Sequence, residues 1–311
     1  MDKPFKTFDE QVNILKSRKI LCETDTKYKL MENNYYSTIN FYKKPFCTDS
    51  DTYCSGTHIN EIFSLMEFDK NIREVFFSAL TQAEKTLKTL IAYHFSKNCP
   101  NDKSNLIESY FLTHNYLLND IKNLSTYLKV MKSIYRIIKK NNNIINHYSK
   151  KDNTPLWVCI HFLTFGEVSL LFSILPQKVK IEIADSIGEL YNYHYDEVSN
   201  KKFPYQFIES FLLIGNLYRN VCAHNERLYD FTSKEKLSTQ HMGNYINTGS
   251  TDQGLYTVYE SLKIFLSKEK YQSLTDRIDE NLNKLENNLN VIKIDKILTE
   301  MRFPIIDWKK I

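Results

Sequence analysis

The sequence predicts an all-α protein, on three observations. Only seven glycines and seven prolines occur in 311 residues, and turns between strands depend heavily on these two residues. Apolar residues recur at helical spacing, most clearly from 61 to 97, and no segment has a convincing strand pattern. The apolar share of 42% fits a globular chain with a sizeable core.

Taken in order, the periodicity predicts short helices at 8–21 and 27–32, then a Thr-, Ser-, Asp- and Gly-rich loop at 47–60. A long amphipathic helix follows at 61–97. Thr154 is a suitable N-cap for a helix running to Leu175, and Gly166 within that helix suggests close packing against a neighbour. Further helices are predicted at 117–140, 179–191, from Pro204 to the 219–224 region, 254–268 and 271–299.

The helix at 271–299 has an apolar seam close to a heptad repeat, with Leu274, Ile278, Leu282, Leu285 and Leu289. Such a seam fits pairing with a second subunit and folding back on the same chain equally well. We divide the chain into an N-terminal helical appendage (1–55), a helical core (56–232) and a C-terminal loop and helical extension (233–311).

Charge and cysteine content restrict the class of protein only loosely. Lys plus Arg exceed Asp plus Glu by 41 to 37, which permits an RNA partner without requiring one. The six cysteines lack a Cys-x-x-Cys spacing and fit reduced thiols. Neither a signal peptide nor a bilayer-spanning run is evident, so we expect a soluble, cytoplasmic protein without a membrane partner.

Two clusters near the N-terminus invite a functional interpretation. Cys47, Cys54 and His58 lack the fourth ligand that a structural zinc site needs, so we expect no metal site. A second cluster, of tyrosines and lysines, lies between the predicted 27–32 helix and the 47–60 loop. The tyrosine rings could stack on RNA bases, and the lysines could contact phosphates. The alternative, which we favour, is that these residues pack the appendage on the main body; the residues are Tyr35, Tyr36, Lys43 and Lys44.

Three ionisable side chains, Asp69, Arg73 and Glu84, border the apolar stripe of the 61–97 helix. Asp69 with Arg73, and Glu84 with Lys88, fit surface pairs one helical turn apart. Glu84 lies so close to the stripe that its carboxylate needs a cationic partner, and Arg219 is a candidate.

The stretch Arg219-Asn220-Val221-Cys222-Ala223-His224 combines a permanent cation, an amide and a histidine that can carry a proton near neutral pH. These groups suit phosphate chemistry. The Arg-x4-His spacing alone occurs often by chance, and a histidine near a helix end usually caps or packs.

The wider stretch 217–229 closely resembles the signature of bacterial abortive-infection (Abi) proteins of the AbiD/AbiF type, in the HEPN superfamily of helical ribonucleases. Further matches run in order along the chain: Asn34-Tyr35-Tyr36 with Pro45-Phe46, Phe68-Asp69 with Arg73, Pro155-Leu156-Trp157 with Leu163-Thr164-Phe165-Gly166, and Phe303-Pro304 with Trp308. The chain departs from the usual pattern at Arg18-Lys19-Ile20, at Met301-Arg302 and at Asn225, where a second histidine is common.

The resemblance implies a HEPN-like helical bundle with N- and C-terminal extensions, and a metal-independent RNA endonuclease without a cofactor. Arg219 would hold the scissile phosphate, Asn220 would bind the phosphate or orient His224, and His224 would transfer protons. Glu84, with Arg73 or Asp69, would position Arg219. Arg227 is a further candidate for RNA binding.

The resemblance also implies a homodimer, because one chain supplies one histidine whereas the reaction needs an acid and a base. The implied role is phage defence as a toxin, with a noncoding RNA as a possible antitoxin. One alternative is a HEPN protein that binds RNA as a scaffold without cleaving it. A second is a partner in nucleotidyl transfer, against which Glu226 counts because a tyrosine is expected at its position.

Overall fold

The computed structural model describes residues 4–49, 52–99, 111–140, 154–196, 202–240, 242, 245–246 and 253–305. These ranges confirm the all-α prediction: their only β pairing is two isolated bridges, Leu21 with His58 and Cys47 with Tyr53. Trp308, the last position of the resemblance, lies outside the described residues.

The α-helices, in chain order, are α1 (Phe8–Ser17), α2 (Thr26–Asn33), α3 (Ile59–Asn98), α4 (Ile121–Lys139), α5 (Leu156–Cys159), α6 (Phe165–Ser173), α7 (Gln177–Tyr195), α8 (Tyr205–Ala223), α9 (Leu255–Leu262), α10 (Lys268–Glu286) and α11 (Ile294–Met301). A π-helical turn covers Tyr36–Asn40, and 3-10 turns cover Lys44–Phe46, Thr113–Asn115 and Ile160–Phe162.

Helix α3 is the central element, 40 residues long and therefore about 60 Å from end to end. It begins at a capping box: His58 Nδ1 accepts the Asn60 N–H at 3.1 Å, and Glu61 Oε1 accepts the His58 N–H at 3.2 Å. Helices α7, α8 and α10 pack along α3. The apolar face of α3 is buried among them, which makes this helix the axis of the core.

Helices α8 and α10 both run antiparallel to α3. Glu84 of α3 faces Arg219 in the last turns of α8, whereas Asp69, four turns earlier in α3, binds the loop that follows α8. Near the start of α3, Glu61 Oε2 accepts the N–H groups of Asn290 and Val291, which follow the end of α10. The two flanking helices therefore carry their C-terminal ends toward the N-terminal half of α3.

The predicted continuous helix from Thr154 to Leu175 is wrong, because the chain is interrupted at Leu163 and Thr164. Thr164 Oγ1 accepts the Glu167 N–H at 3.2 Å, and Glu167 Oε2 accepts the Thr164 N–H at 2.7 Å. This capping box starts α6 although the apolar periodicity continues through it. The close packing predicted at Gly166 is confirmed, since a Cβ there would lie 3.3 Å from the Asn216 amide of α8.

The single helix predicted at 271–299 is also wrong, because α10 ends at Glu286 and α11 begins at Ile294. Asn287, Asn288 and Asn290 fall in the break, where their polar side chains compete with helical hydrogen bonding. The seam residues Leu274, Ile278, Leu282 and Leu285 are buried within the chain's own core. This finding confirms the alternative that the helix folds back on its own chain.

One hydrophobic cluster includes buried side chains from all three predicted parts of the chain, from Leu15 to Phe303. The division at residues 55 and 232 stays a prediction. No described helix is long and apolar enough to cross a membrane.

Candidate active site at the end of helix α8

The last turn of α8 holds the motif in a defined conformation. The His224 N–H donates to Asn220 O at 2.9 Å, and the Glu226 N–H donates back to Val221 O at 3.1 Å. Between them Asn225 adopts a left-handed conformation, with φ of 55°. This arrangement is a Schellman-type helix end, for which asparagine is a suitable residue. It leaves His224 exposed at the helix terminus.

Arg219 lies at the edge of the core and pairs with Glu84, as the sequence predicted. Arg219 Nε lies 3.7 Å from Glu84 Oε2, and Arg219 Nη1 donates to Asn220 Oδ1 at 3.1 Å. The Arg219 side chain is 20% exposed, compared with 10% for Glu84. Among the described residues only one of its five N–H groups makes a hydrogen bond. The guanidinium can therefore still bind an anion.

Glu84 is held in turn by Lys88. The Lys88 Nζ lies 2.7 Å from Glu84 Oε1 and also donates to Leu163 O at 2.7 Å. That carbonyl belongs to the break between the 3-10 turn and α6. The helix break at Leu163 therefore supplies the carbonyl that holds Lys88 next to the candidate site. The Glu84–Lys88 pair is buried and does not lie on the surface.

Asn220 and His224 are one turn apart on the same face of α8. Leu213 and Leu217 continue this face toward the start of the helix, at the spacing i, i+4, i+7 and i+11. Leu213 is 43% exposed, and Leu217 is partly exposed. The motif therefore lies at one end of an open stripe that has apolar residues at its other end.

Asp69 and Arg73 hold the loop after the motif, and neither has a hydrogen bond or ion pair with Arg219 among the described contacts. Asp69 is fully buried, and its carboxylate accepts the N–H groups of Leu228 and Tyr229 at 3.1 and 2.7 Å. It also accepts the Tyr42 hydroxyl at 2.7 Å and forms a close ion pair with Arg73. Burial raises the pKa of the Asp69 carboxyl, while these four donors oppose that effect.

Arg73 Nη1 additionally donates to Glu226 O at 3.3 Å. The prediction that Arg73 or Asp69 helps to position Arg219 therefore needs correction: their described contacts orient residues 226–229, and the contact to Arg219 comes from Glu84. The Asp69–Arg73 pair is buried, as is the Glu84–Lys88 pair. The prediction that these are surface pairs is therefore wrong.

The predicted RNA-binding residues of the appendage separate into two groups. Tyr35 is partly buried and packs against the core, and Lys43 is half-buried. Lys44 is exposed but donates to Glu300 at 2.8 Å. These contacts fit the packing alternative. Tyr36, in contrast, is exposed, and its ring makes a T-shaped contact with that of Phe41, with the centroids 5.3 Å apart.

Arg227 joins the appendage to the loop after the motif. Its Nε donates to Asp230 at 2.6 Å, its Nη1 donates to Phe41 O, and its guanidinium lies over the rings of Phe41 and Tyr229. Arg227, Tyr36, Asn40 and Glu226 help to line a cavity of about 660 Å³. Arg227 and Tyr36 thus meet in one cavity beside the motif.

Two further predicted features, the cysteine of the motif and the Cys47, Cys54 and His58 cluster, can be compared with the structure. Within the motif, Cys222 is buried, and burial raises the pKa of its thiol to about 12. At the start of α3, His58 caps the helix through Nδ1, and its Nε2 lies 3.0 Å from Glu23 Oε1, so both ring nitrogens of His58 have partners. No cluster of three metal-ligating side chains occurs among the described residues.

These observations define an all-α protein that presents an arginine, an amide and a histidine at the end of one helix. The chain belongs to the family of Abi-like proteins, which it matches over residues 28–230. The matched region extends from the appendage to the loop just after the motif. No curated protein and no solved structure shows significant similarity to the chain.

Proposed function

We propose that the chain is an endoribonuclease that acts in phage defence by abortive infection, with Arg219, Asn220 and His224 in its active site. One observation carries the proposal. Glu84 holds the partly exposed Arg219 against Asn220, on the last turns of the helix where His224 is exposed. Membership of the Abi-like family supports the biological role.

In this reaction a base removes the proton of the RNA 2′-hydroxyl, and the 2′-oxygen bonds to the adjacent phosphorus. The bond from phosphorus to the 5′-oxygen breaks, and an acid protonates that oxygen, which leaves a 2′,3′-cyclic phosphate and a 5′-hydroxyl. Histidine suits both proton transfers near neutral pH. Arg219 binds the non-bridging oxygens and stabilises the charge that develops on them.

Two copies of the chain supply the acid and the base. The stripe from Leu213 to His224 supports this arrangement, because an exposed leucine on the motif helix is suited to burial against its symmetry mate. If α8 packs alongside its copy about a two-fold axis roughly parallel to both helices, the two Leu213 side chains meet and the two His224 side chains share one cleft. The cavity beside Tyr36 and Arg227 would receive a base of the bound RNA.

The catalytic proposal is tested by incubating the purified protein with total RNA in the presence of EDTA. We expect cleavage to persist in EDTA and to fall at least about 100-fold in His224→Ala and Arg219→Ala. His114→Ala is the matched control, since His114 is exposed on the separate 3-10 turn Thr113–Asn115. Equal decay with all four proteins would refute the proposal, and RNA binding without decay would favour the scaffold alternative.

The dimer is tested by comparing two glutamate substitutions at equally exposed positions. Leu213→Glu should give a monomer in light scattering at micromolar concentration and should abolish cleavage. Ile181→Glu, on α7, should remain a cleaving dimer because Ile181 has the same 43% exposure away from the stripe. A monomeric wild-type protein that cleaves RNA would contradict the two-copy mechanism. A single RNA species that copurifies with the His224→Ala protein would support an RNA antitoxin, whereas a mixture of RNAs would indicate bound substrate.

A further inference from the structure

A second open cleft, of about 560 Å³, lies between α3 and α10. Each helix contributes a stripe of residues at the spacing i, i+3, i+4 and i+7. The α3 stripe is Ser78, Thr81, Gln82 and Lys85, and the α10 stripe is Lys270, Ser273, Leu274 and Arg277. Each stripe covers about 10 Å along its helix, so the cleft is an elongated groove between two antiparallel helices.

The ionisable side chains that line this cleft are all positively charged. Its lining includes the three cationic side chains Lys85, Lys270 and Arg277, and no carboxylate. All three cations are exposed, and none forms an ion pair within the described part of the chain. Unpaired cations in an open groove attract an anionic chain and release counterions when it binds.

The cleft adjoins the candidate active site through α3. Lys85 follows Glu84 directly, and Phe77 precedes Glu84 by seven residues, which places the two side chains within about 20° of each other around the helix axis. Phe77 lines the cleft and is 40% exposed. An exposed aromatic ring beside cations is the usual composition of a surface that binds single-stranded nucleic acid.

We infer that the α3–α10 cleft binds single-stranded RNA next to the scissile phosphate, with Lys85, Lys270 and Arg277 on consecutive phosphates and a base stacked on Phe77. This inference rests on the proposed ribonuclease function and extends it by naming the path of the substrate. The hydroxyl groups of Ser78, Thr81 and Ser273 supply further hydrogen bonds to the RNA backbone. The binding is insensitive to sequence, because stacking and phosphate contacts accept any base.

The test measures binding of a fluorescent, unstructured RNA of about 12 nucleotides to the full chain carrying His224→Ala, by anisotropy at several salt concentrations. In this His224→Ala background, the three substitutions Lys85→Gln, Lys270→Gln and Arg277→Gln made together should raise Kd at least tenfold. They should also lower the slope of log K against log salt by about 2, since each single-strand phosphate contact contributes about 0.7. Lys122→Gln, Lys129→Gln and Lys132→Gln on α4 remove the same charge elsewhere and should leave Kd within about twofold and the slope unchanged.

Phe77→Ala should raise Kd roughly tenfold without changing the salt slope, because stacking releases no counterion, and Phe77→Trp should restore binding. Equal weakening by the cleft and α4 variants would overturn the inference, as would unchanged binding by the cleft variants, or preferential binding of an acidic peptide over RNA. Unfolding midpoints of the lysine and arginine variants should match that of the parent chain, because these side chains are exposed. Phe77→Ala should lower the midpoint because Phe77 is partly buried, and Phe77→Trp should not.

Cleavage of total RNA by the protein with native His224 separates the two proposals. If that protein cleaves RNA and the cleft substitutions change neither binding nor cleavage, the cleft inference fails and the ribonuclease proposal stands. If that protein cleaves nothing while the cleft substitutions still weaken RNA binding selectively, the ribonuclease proposal fails and the cleft remains an RNA-binding surface.

Discussion

Asp69 with Arg73 and Glu84 with Lys88 are acid–base pairs of the same spacing on α3, and both pairs are buried. They differ in what surrounds the acid. Asp69 receives donors from Arg73, from Tyr42 of the appendage and from two backbone N–H groups. Glu84 receives Lys88 and the partly exposed Arg219.

This difference shows how one local pattern can support the fold in one place and the candidate chemistry in another. The Asp69 carboxylate joins three parts of the chain and is saturated by donors, so nothing further can bind there. Glu84 holds an arginine whose other N–H groups have no hydrogen-bond acceptor among the described residues. Substitutions at the two carboxylates should therefore separate stability from catalysis.

The largest effect is expected for Asp69→Ala. The substitution leaves the Arg73 guanidinium, the Tyr42 hydroxyl and two backbone N–H groups buried without their acceptor. We expect the free energy of unfolding to fall by about 3–5 kcal/mol, measured by urea denaturation. A denaturation midpoint equal to that of the wild type would contradict the proposal that Asp69 links the appendage, α3 and the loop after the motif.

Glu84→Gln should have a smaller effect on stability and a clear effect on catalysis. Arg219 and Lys88 both lose their charged partner, but an amide oxygen at this position can still accept from Lys88, and Lys88 keeps its bond to Leu163 O. We expect kcat for RNA cleavage to fall about 10- to 100-fold with little change in KM, and the free energy of unfolding to fall by about 1–2 kcal/mol.

Two further variants show whether Glu84 acts through Arg219. Glu84→Asp should recover part of the kcat, because it keeps the charge. Lys88→Met should disturb stability more than kcat, because Arg219 keeps its partner. If Glu84→Gln lost as much stability as Asp69→Ala and no activity, the contrast between the two pairs would disappear.

The smallest effect concerns Glu167, a carboxylate outside α3. Burial raises its pKa, but hydrogen bonds from Ser133 and Thr164 and the charge of Arg136 together lower it below the usual value. A lowered folded pKa contributes stability above the unfolded pKa, and this contribution is lost as pH falls through the folded value.

Glu167→Gln should therefore be less stable than the wild type at pH 7 by less than about 1 kcal/mol. The difference in the free energy of unfolding should shrink below about pH 4, as followed by urea denaturation across pH. A difference that grows on acidification would contradict the sign of the pKa shift.

Much of this fold follows from apolar periodicity. The bounds of α3 differ by only one or two residues from the prediction at 61–97, because a long amphipathic stripe overrides local ambiguity. The two breaks were missed for the same reason, because apolar periodicity continues across each of them. It conceals the capping box at Thr164, and Leu289 continues the leucine seam beyond Asn287 and Asn288.

The candidate site was predictable in part. Glu84 was linked to Arg219 because a carboxylate near the core needs a cation, and the structure places them 3.7 Å apart. Tyr42 and the Leu163 carbonyl were missed, because nothing in a single sequence shows which distant hydroxyl or backbone group reaches a buried charge. The α3–α10 cleft was missed because its two stripes become one surface only when the helices are antiparallel neighbours.

The buried Cys222 gives the motif a further property, resistance to oxidants. Oxidation and alkylation require the thiolate, and a pKa of about 12 leaves almost none of it at neutral pH. The side chain is also shielded from reagents by the packing of α8. We therefore expect the Cys222 thiol to resist oxidation and alkylation in the folded chain, although its sulfur atom lies only two residues from His224.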